Sequence, residues 1–202
     1  MRQDNPLMLA AVALGFLAQL GMWLVDLHYA RRGRPRPAAF PGATPTTGGA
    51  VIVAVAGALV LLAVETIGEY ALGIVAEQSR MSIGFALFSL AAAFGEELVF
   101  RGYLVVTGRG RGWLVGSAVA FSALFALAHP FLWRWGADGL AVQVSVKALF
   151  STAMIFAGSL WFYYARFQSR NPAWSLIPCF AAHLVKNLGV IAIKAAQGYL
   201  GG

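Results

Sequence analysis

Apolar stretches of about twenty residues recur along the whole 202-residue chain. Each is long enough to cross about 30 Å of hydrocarbon at about 1.5 Å per helical residue. Composition agrees: 59% of the residues are hydrophobic and only 11% charged, where a soluble domain carries about 25% charged residues. The expected fold class is therefore all-α, a polytopic transmembrane helical bundle of about six spans with room for one short or re-entrant helix. So much apolar sequence argues against a soluble nucleic-acid binder despite the net charge of +7.

The spans are expected at about 7–28, 50–76, 82–107, 113–129, 141–165 and 174–197. The first is longer than a signal-peptide core and lacks a clean cleavage site, so it reads as a retained span. An Arg/Pro-rich loop, RRGRPRPAAFPGATPTTGG, follows it, and its prolines and glycines cannot continue a helix. From about 129 to 146 the pattern breaks. Phe131, Trp133 and Trp135 suit a membrane interface, and the segment reads as a loop, a re-entrant piece or an extra short helix. Basic residues concentrate in the first, third and fifth loops: Arg31, Arg32, Arg34, Arg36, Arg109, Arg111, Arg166 and Arg170. That asymmetry places those loops in the cytoplasm and both termini outside. The lone cysteine, Cys179, lies inside an apolar span and reads as a packing residue.

Charged groups inside a span cost several kcal/mol unless they are paired or reach water. The third span, AAAFGEELVFRGYLVV, holds Glu96, Glu97 and Arg101. Unpaired, the three would cost about 8 to 10 kcal/mol on an insertion scale. Glu97 and Arg101 are four apart and meet on one helix face. Glu96 lies about 100° further round, a second carboxylate suited to proton transfer. The fourth span ends FALAHP, with Phe125 and His129 four apart, and the sixth contains HLVKN, with His183 and Asn187 four apart. The latter two could aim hydrogen bonds at one developing oxyanion, or glue helices together. Jointly the carboxylates, histidines and amide suit water activation for amide hydrolysis. Glu96, Glu97, His129 and His183 would also suffice for a divalent metal such as zinc. No clear nucleophile is present.

EExxxR at Glu96-Glu97-Arg101, FxxxH at Phe125-His129 and HxxxN at His183-Asn187 occur in that order. This pattern resembles the CPBP (Abi) family, which includes the CAAX prenyl endopeptidases and bacteriocin-processing proteins. The match covers about 82–190, the expected catalytic core. Residues 1–81 then form two N-terminal spans within a single membrane domain of residues 1–202. The resemblance implies a hydrolase in which Glu96 activates water together with His129. Glu97 and Arg101 support the site, His183 and Asn187 stabilise the oxyanion, and Phe125 packs beneath His129. It implies a peptide or membrane-protein substrate in the bilayer. The short chain suggests a bacterial inner-membrane protein. Metal dependence stays open, since both a metalloprotease and a metal-free, glutamate-activated water are argued for such proteins. One departure stands out: Phe162 occupies a place where a second small residue often lies. Glu65 and Glu69 match no motif and read as a wet helix face, a packing pair or a substrate contact. Two other readings remain: a catalytically silent scaffold or immunity factor, and a proton-coupled carrier built on the same intramembrane Glu and His.

Overall fold

A computed structural model of the chain describes residues 5–136 and 139–201. Six helices in it are long and apolar enough to cross a membrane. They are α1 (Pro6–Arg31), α2 (Gly48–Ala71), α3 (Ile83–Glu97, continued by a π-helical segment Leu98–Tyr103), α4 (Arg111–Ala128), α5 (Val146–Phe167) and α6 (Ile177–Ala196). Four starts are set by side-chain caps. Asn5, Thr47, Ser82 and Ser145 each accept a hydrogen bond from the amide three residues on.

The bundle sets polar side chains within an apolar core and turns apolar ones outward. Glu97, Arg101, Ser122, Ser159 and Asn171 are buried, whereas Leu7, Ile52, Ile67 and Leu87 are exposed. In lipid a buried charge needs neighbours in place of water, as Glu97 and Arg101 provide for one another. The chain is thus an integral, multi-pass membrane protein. Helix α6 packs on α2, α3 and α5; α4 packs on α5, and α1 on α3. On α2, Ala50, Ala54 and Ala58 are fully buried at four-residue spacing, which lets α5 approach closely. There the Trp161 indole N–H reaches the Ala54 carbonyl at 2.8 Å and the Gln168 amide reaches that of Ala50 at 3.2 Å.

One expectation changes. The segment after His129 is not a short helix. It forms an antiparallel hairpin, β1 (Trp133–Gly136) with β2 (Gly139–Val142), in which Trp133 faces Val142 and Trp135 faces Leu140. Aromatic residues alternating with Arg134, followed by Gly136 and Gly139, favour a period of two over a helical one. Consequently α5 starts at Val146 rather than near 141. The Arg/Pro-rich loop, which does not continue a helix, is tied to the bundle by hydrogen bonds. Buried Asp26 holds Arg36 at 3.0 Å and the Phe40 amide at 2.9 Å. Thr44, Thr46 and Thr47 bond across to Ala173, Asn171 and Arg170.

Candidate active site

Three helices bring the motif residues together. From α3, Glu97 and Arg101 point into the bundle with no exposed surface, their closest atoms 3.1 Å apart. From α6, His183 places Nδ1 2.7 Å from the same Glu97 oxygen, Oε1. Its other nitrogen, Nε2, lies 3.7 Å from Glu96 Oε2. Glu96 keeps a third of its side chain exposed. The two adjacent carboxylates therefore differ in kind. Glu97 is a locked counter-ion between Arg101 and His183, and Glu96 is the accessible one.

Arg101 is held almost without polar partners. Its guanidinium carbon lies 4.6 Å from the Phe125 ring centre, 5.2 Å from those of Phe162 and Tyr163, and 5.9 Å from that of Phe100. Such an aromatic cage attracts a desolvated cation. Its hydrogen-bond acceptors among the described residues are the two oxygens of Ser159: Nη2 donates to Oγ at 2.6 Å and to the carbonyl at 3.2 Å. The Ser159 hydroxyl donates in turn to Ser122 Oγ at 2.9 Å.

The π-helical segment carries Arg101. Leu104 N bonds to Val99 O at 2.8 Å, five residues back, so each turn holds one extra residue. Tyr163 Oη sits between the Phe100 and Leu104 carbonyls at 2.6 and 2.8 Å, where its proton can serve either.

Phe125 lies between the two histidines, its ring centre 4.7 Å from that of His129 and 6.4 Å from that of His183. It comes level with Arg101 although it is the fifteenth residue of α4. The reason is an offset between helices: Val106, just past α3, bonds to Ser117 in the second turn of α4. The first turns of α4 thus extend beyond the end of α3. His129 caps α4 and bonds through Nδ1 to the Phe125 carbonyl at 2.8 Å. Among the described residues no carboxylate pairs with it. Asn187 donates its amide to the Ser89 carbonyl at 3.0 Å, joining α6 to α3.

These partners fix the imidazole tautomers. A carbonyl only accepts, so His129 carries its proton on Nδ1, and an ionised Glu97 requires the same of His183. Each neutral ring then presents a lone pair at Nε2. His183 can donate from Nε2 to an oxyanion only as an imidazolium, with Glu97 as its counter-charge.

The donors do not fit a metal centre. Among the described residues no three His, Cys, Asp or Glu side chains converge to hold a metal. Glu97 Oε1 is already shared by a guanidinium and an imidazole.

Sequence reasoning missed Ser122 and Ser159, two small polar residues in apolar helices that carry no motif. Phe162, read as a departure, stacks on the His183 ring with centres 4.9 Å apart and 23° between planes. Glu65 and Glu69 are paired rather than free. Glu65 binds Lys186 at 2.7 Å, and Glu69 binds Lys147 and, at 2.6 Å, the Gln78 amide. They line a polar cavity of about 630 Å³ that also contains His129, Lys147 and Lys194. A larger cavity of about 800 Å³ between α1 and α3 is apolar and contains no motif residue.

No curated protein and no solved structure matches the chain. A family model described as type II CAAX prenyl endopeptidase Rce1-like matches residues 78–189, more than half of the chain. That segment contains Glu96, Glu97, Arg101, Phe125, His129, His183 and Asn187, and by it the chain belongs to the type II CAAX prenyl endopeptidase Rce1-like family.

Proposed function

We propose that the protein is an intramembrane endopeptidase that hydrolyses a peptide bond with a glutamate-activated water, acting on a peptide or membrane-protein substrate within the bilayer of a bacterial inner membrane. The observation that carries this reading is the division of labour between Glu96 and Glu97. A structural ion pair needs only one carboxylate for Arg101, and Glu97 fills that role. Glu96 is left beside the His183 Nε2 with a third of its side chain exposed, accessible as a general base must be.

In this mechanism Glu96 removes a proton from water as the oxygen attacks the scissile carbonyl. Protonated His183, held by Glu97, stabilises the negative charge that develops on the carbonyl oxygen. As the C–N bond breaks, Glu96 gives the proton taken from water to the leaving amine, and His129, whose Nε2 carries a lone pair, helps to orient the attacking water. Asn187 sets the spacing of α6 against α3 through Ser89. No step needs a metal, and the donor arrangement favours none.

The test compares peptide termini in membranes of cells producing the wild type or Glu96→Gln. The expected result is a set of new termini present only with the wild type. Identical termini from both proteins would reject the endopeptidase reading and favour a catalytically silent role.

A further inference from the structure

We infer that Ser159, backed by Ser122, is a positioning residue of the hydrolytic site. It acts on His183 through Arg101 and Glu97. The inference rests on the endopeptidase reading, and adds to it two residues that no motif includes.

The argument starts from what a guanidinium needs. Arg101 has no exposed surface, and its aromatic walls attract charge without fixing the rotation of the planar group. Only directional bonds fix rotation. Among the described residues, the acceptors that supply them are the carbonyl and hydroxyl of Ser159. The hydroxyl contact is the shorter, 2.6 Å against 3.2 Å. Its direction is set as well: Ser159 accepts from Arg101 and donates to Ser122 Oγ at 2.9 Å. Both serines are completely buried.

With Nη2 anchored, Nη1 faces Glu97 Oε1 at 3.1 Å. That contact is an ion pair by distance, but Nη1 is not aligned to make a hydrogen bond. Glu97 is therefore held by charge and by wherever Arg101 is pinned. Glu97 in turn accepts the hydrogen bond from His183 Nδ1 at 2.7 Å, which leaves Nε2 aimed at Glu96. One chain of contacts thus runs Ser122, Ser159, Arg101, Glu97, His183, Glu96, and it joins α4, α5, α3 and α6. If Arg101 turns, Glu97 loses its anchor and the His183 ring loses its set orientation.

The chain has three histidines, which makes the relay directly observable. Protein labelled with 15N-histidine in detergent gives three imidazole spectra, assigned by His28→Gln and His129→Gln. In folded Ser159→Ala the His183 Nδ1 signal is expected to move while that of His28 stays. On a quenched fluorescent peptide spanning the cleavage site found by terminus comparison, kcat is expected to fall about tenfold or more with KM within about twofold. Ser159→Thr, which keeps the hydroxyl, is expected to restore both readouts. Ser122→Ala leaves both Ser159 oxygens available to Arg101, and is expected to move the same readouts in the same direction by less. The inference is overturned if the His183 signal and kcat are unchanged in Ser159→Ala. It is equally overturned if kcat, KM and thermal stability fall together and Ser159→Thr rescues none of them. Failure of the endopeptidase reading looks different: wild type and Glu96→Gln would give identical termini, whatever the imidazole signals do.

Discussion

Two adjacent glutamates stand in opposite settings at the residue scale. Glu97 has no exposed surface and neutralises a caged arginine, whereas Glu96 is one-third exposed with the His183 Nε2 3.7 Å away. Amide substitutions separate the two roles. Glu97→Gln leaves the Arg101 charge uncompensated in a low-dielectric surrounding, and is expected to destabilise the protein by about 3–5 kcal/mol. Glu96→Gln removes a carboxylate that no guanidinium locks in place, and is expected to destabilise less than Glu97→Gln while abolishing cleavage. Thermal unfolding in detergent, run beside the cleavage assay, checks both. This split was half legible in the sequence. The spacing of Glu97 and Arg101 announces their pairing. What the sequence could not show is that His183 joins the same carboxylate, because nothing local to α6 indicates which α3 oxygen its ring will meet. Nor could it show Ser159, since one serine in an apolar helix looks the same whether it faces lipid or a buried guanidinium.

Among the elements, apolar runs made the helices readable, and hydrogen-bond register did not. The caps Asn5, Thr47, Ser82 and Ser145 are visible in the structure, and the Ser145 cap explains why the fifth helix begins later than its apolar run. The π-helical turn at Leu98–Tyr103 leaves no such mark, because a shift of backbone bonding from four residues to five changes no residue type. The hairpin was missed because a short aromatic run is compatible with an interfacial loop, a re-entrant piece or a strand. Close helix contacts are equally hidden. Gly57 lies under the Trp161 ring, where an added Cβ would overlap the indole, whereas Gly116 on α4 has open space around it. Gly57→Ala is expected to force α2 from α5 and destabilise by about 1–3 kcal/mol. Gly116→Ala is expected to be neutral, or to stabilise by up to about 1 kcal/mol through helix propensity. Melting temperatures of the two variants check the contrast.

The whole molecule is an even-numbered stack of spans with a polar cluster set in an apolar core. Six spans put both ends of the chain on one side of the bilayer and the arginine-rich loops on the other. Reporter fusions at the N- and C-termini are therefore expected to read the same side, and one inserted at Arg109 the opposite side. A disagreement between the two ends would reject six spans. The order in which the helices leave the ribosome has its own consequence. Helix α3 delivers Glu96, Glu97 and Arg101 well before α6 delivers His183. Helix α6 also packs against α2, α3 and α5, so its arrival closes the bundle and completes the site together. Until then Glu97 has an arginine but no histidine, and Glu96 faces no imidazole. A growing chain of this design therefore carries an incomplete site until its last helix is in place.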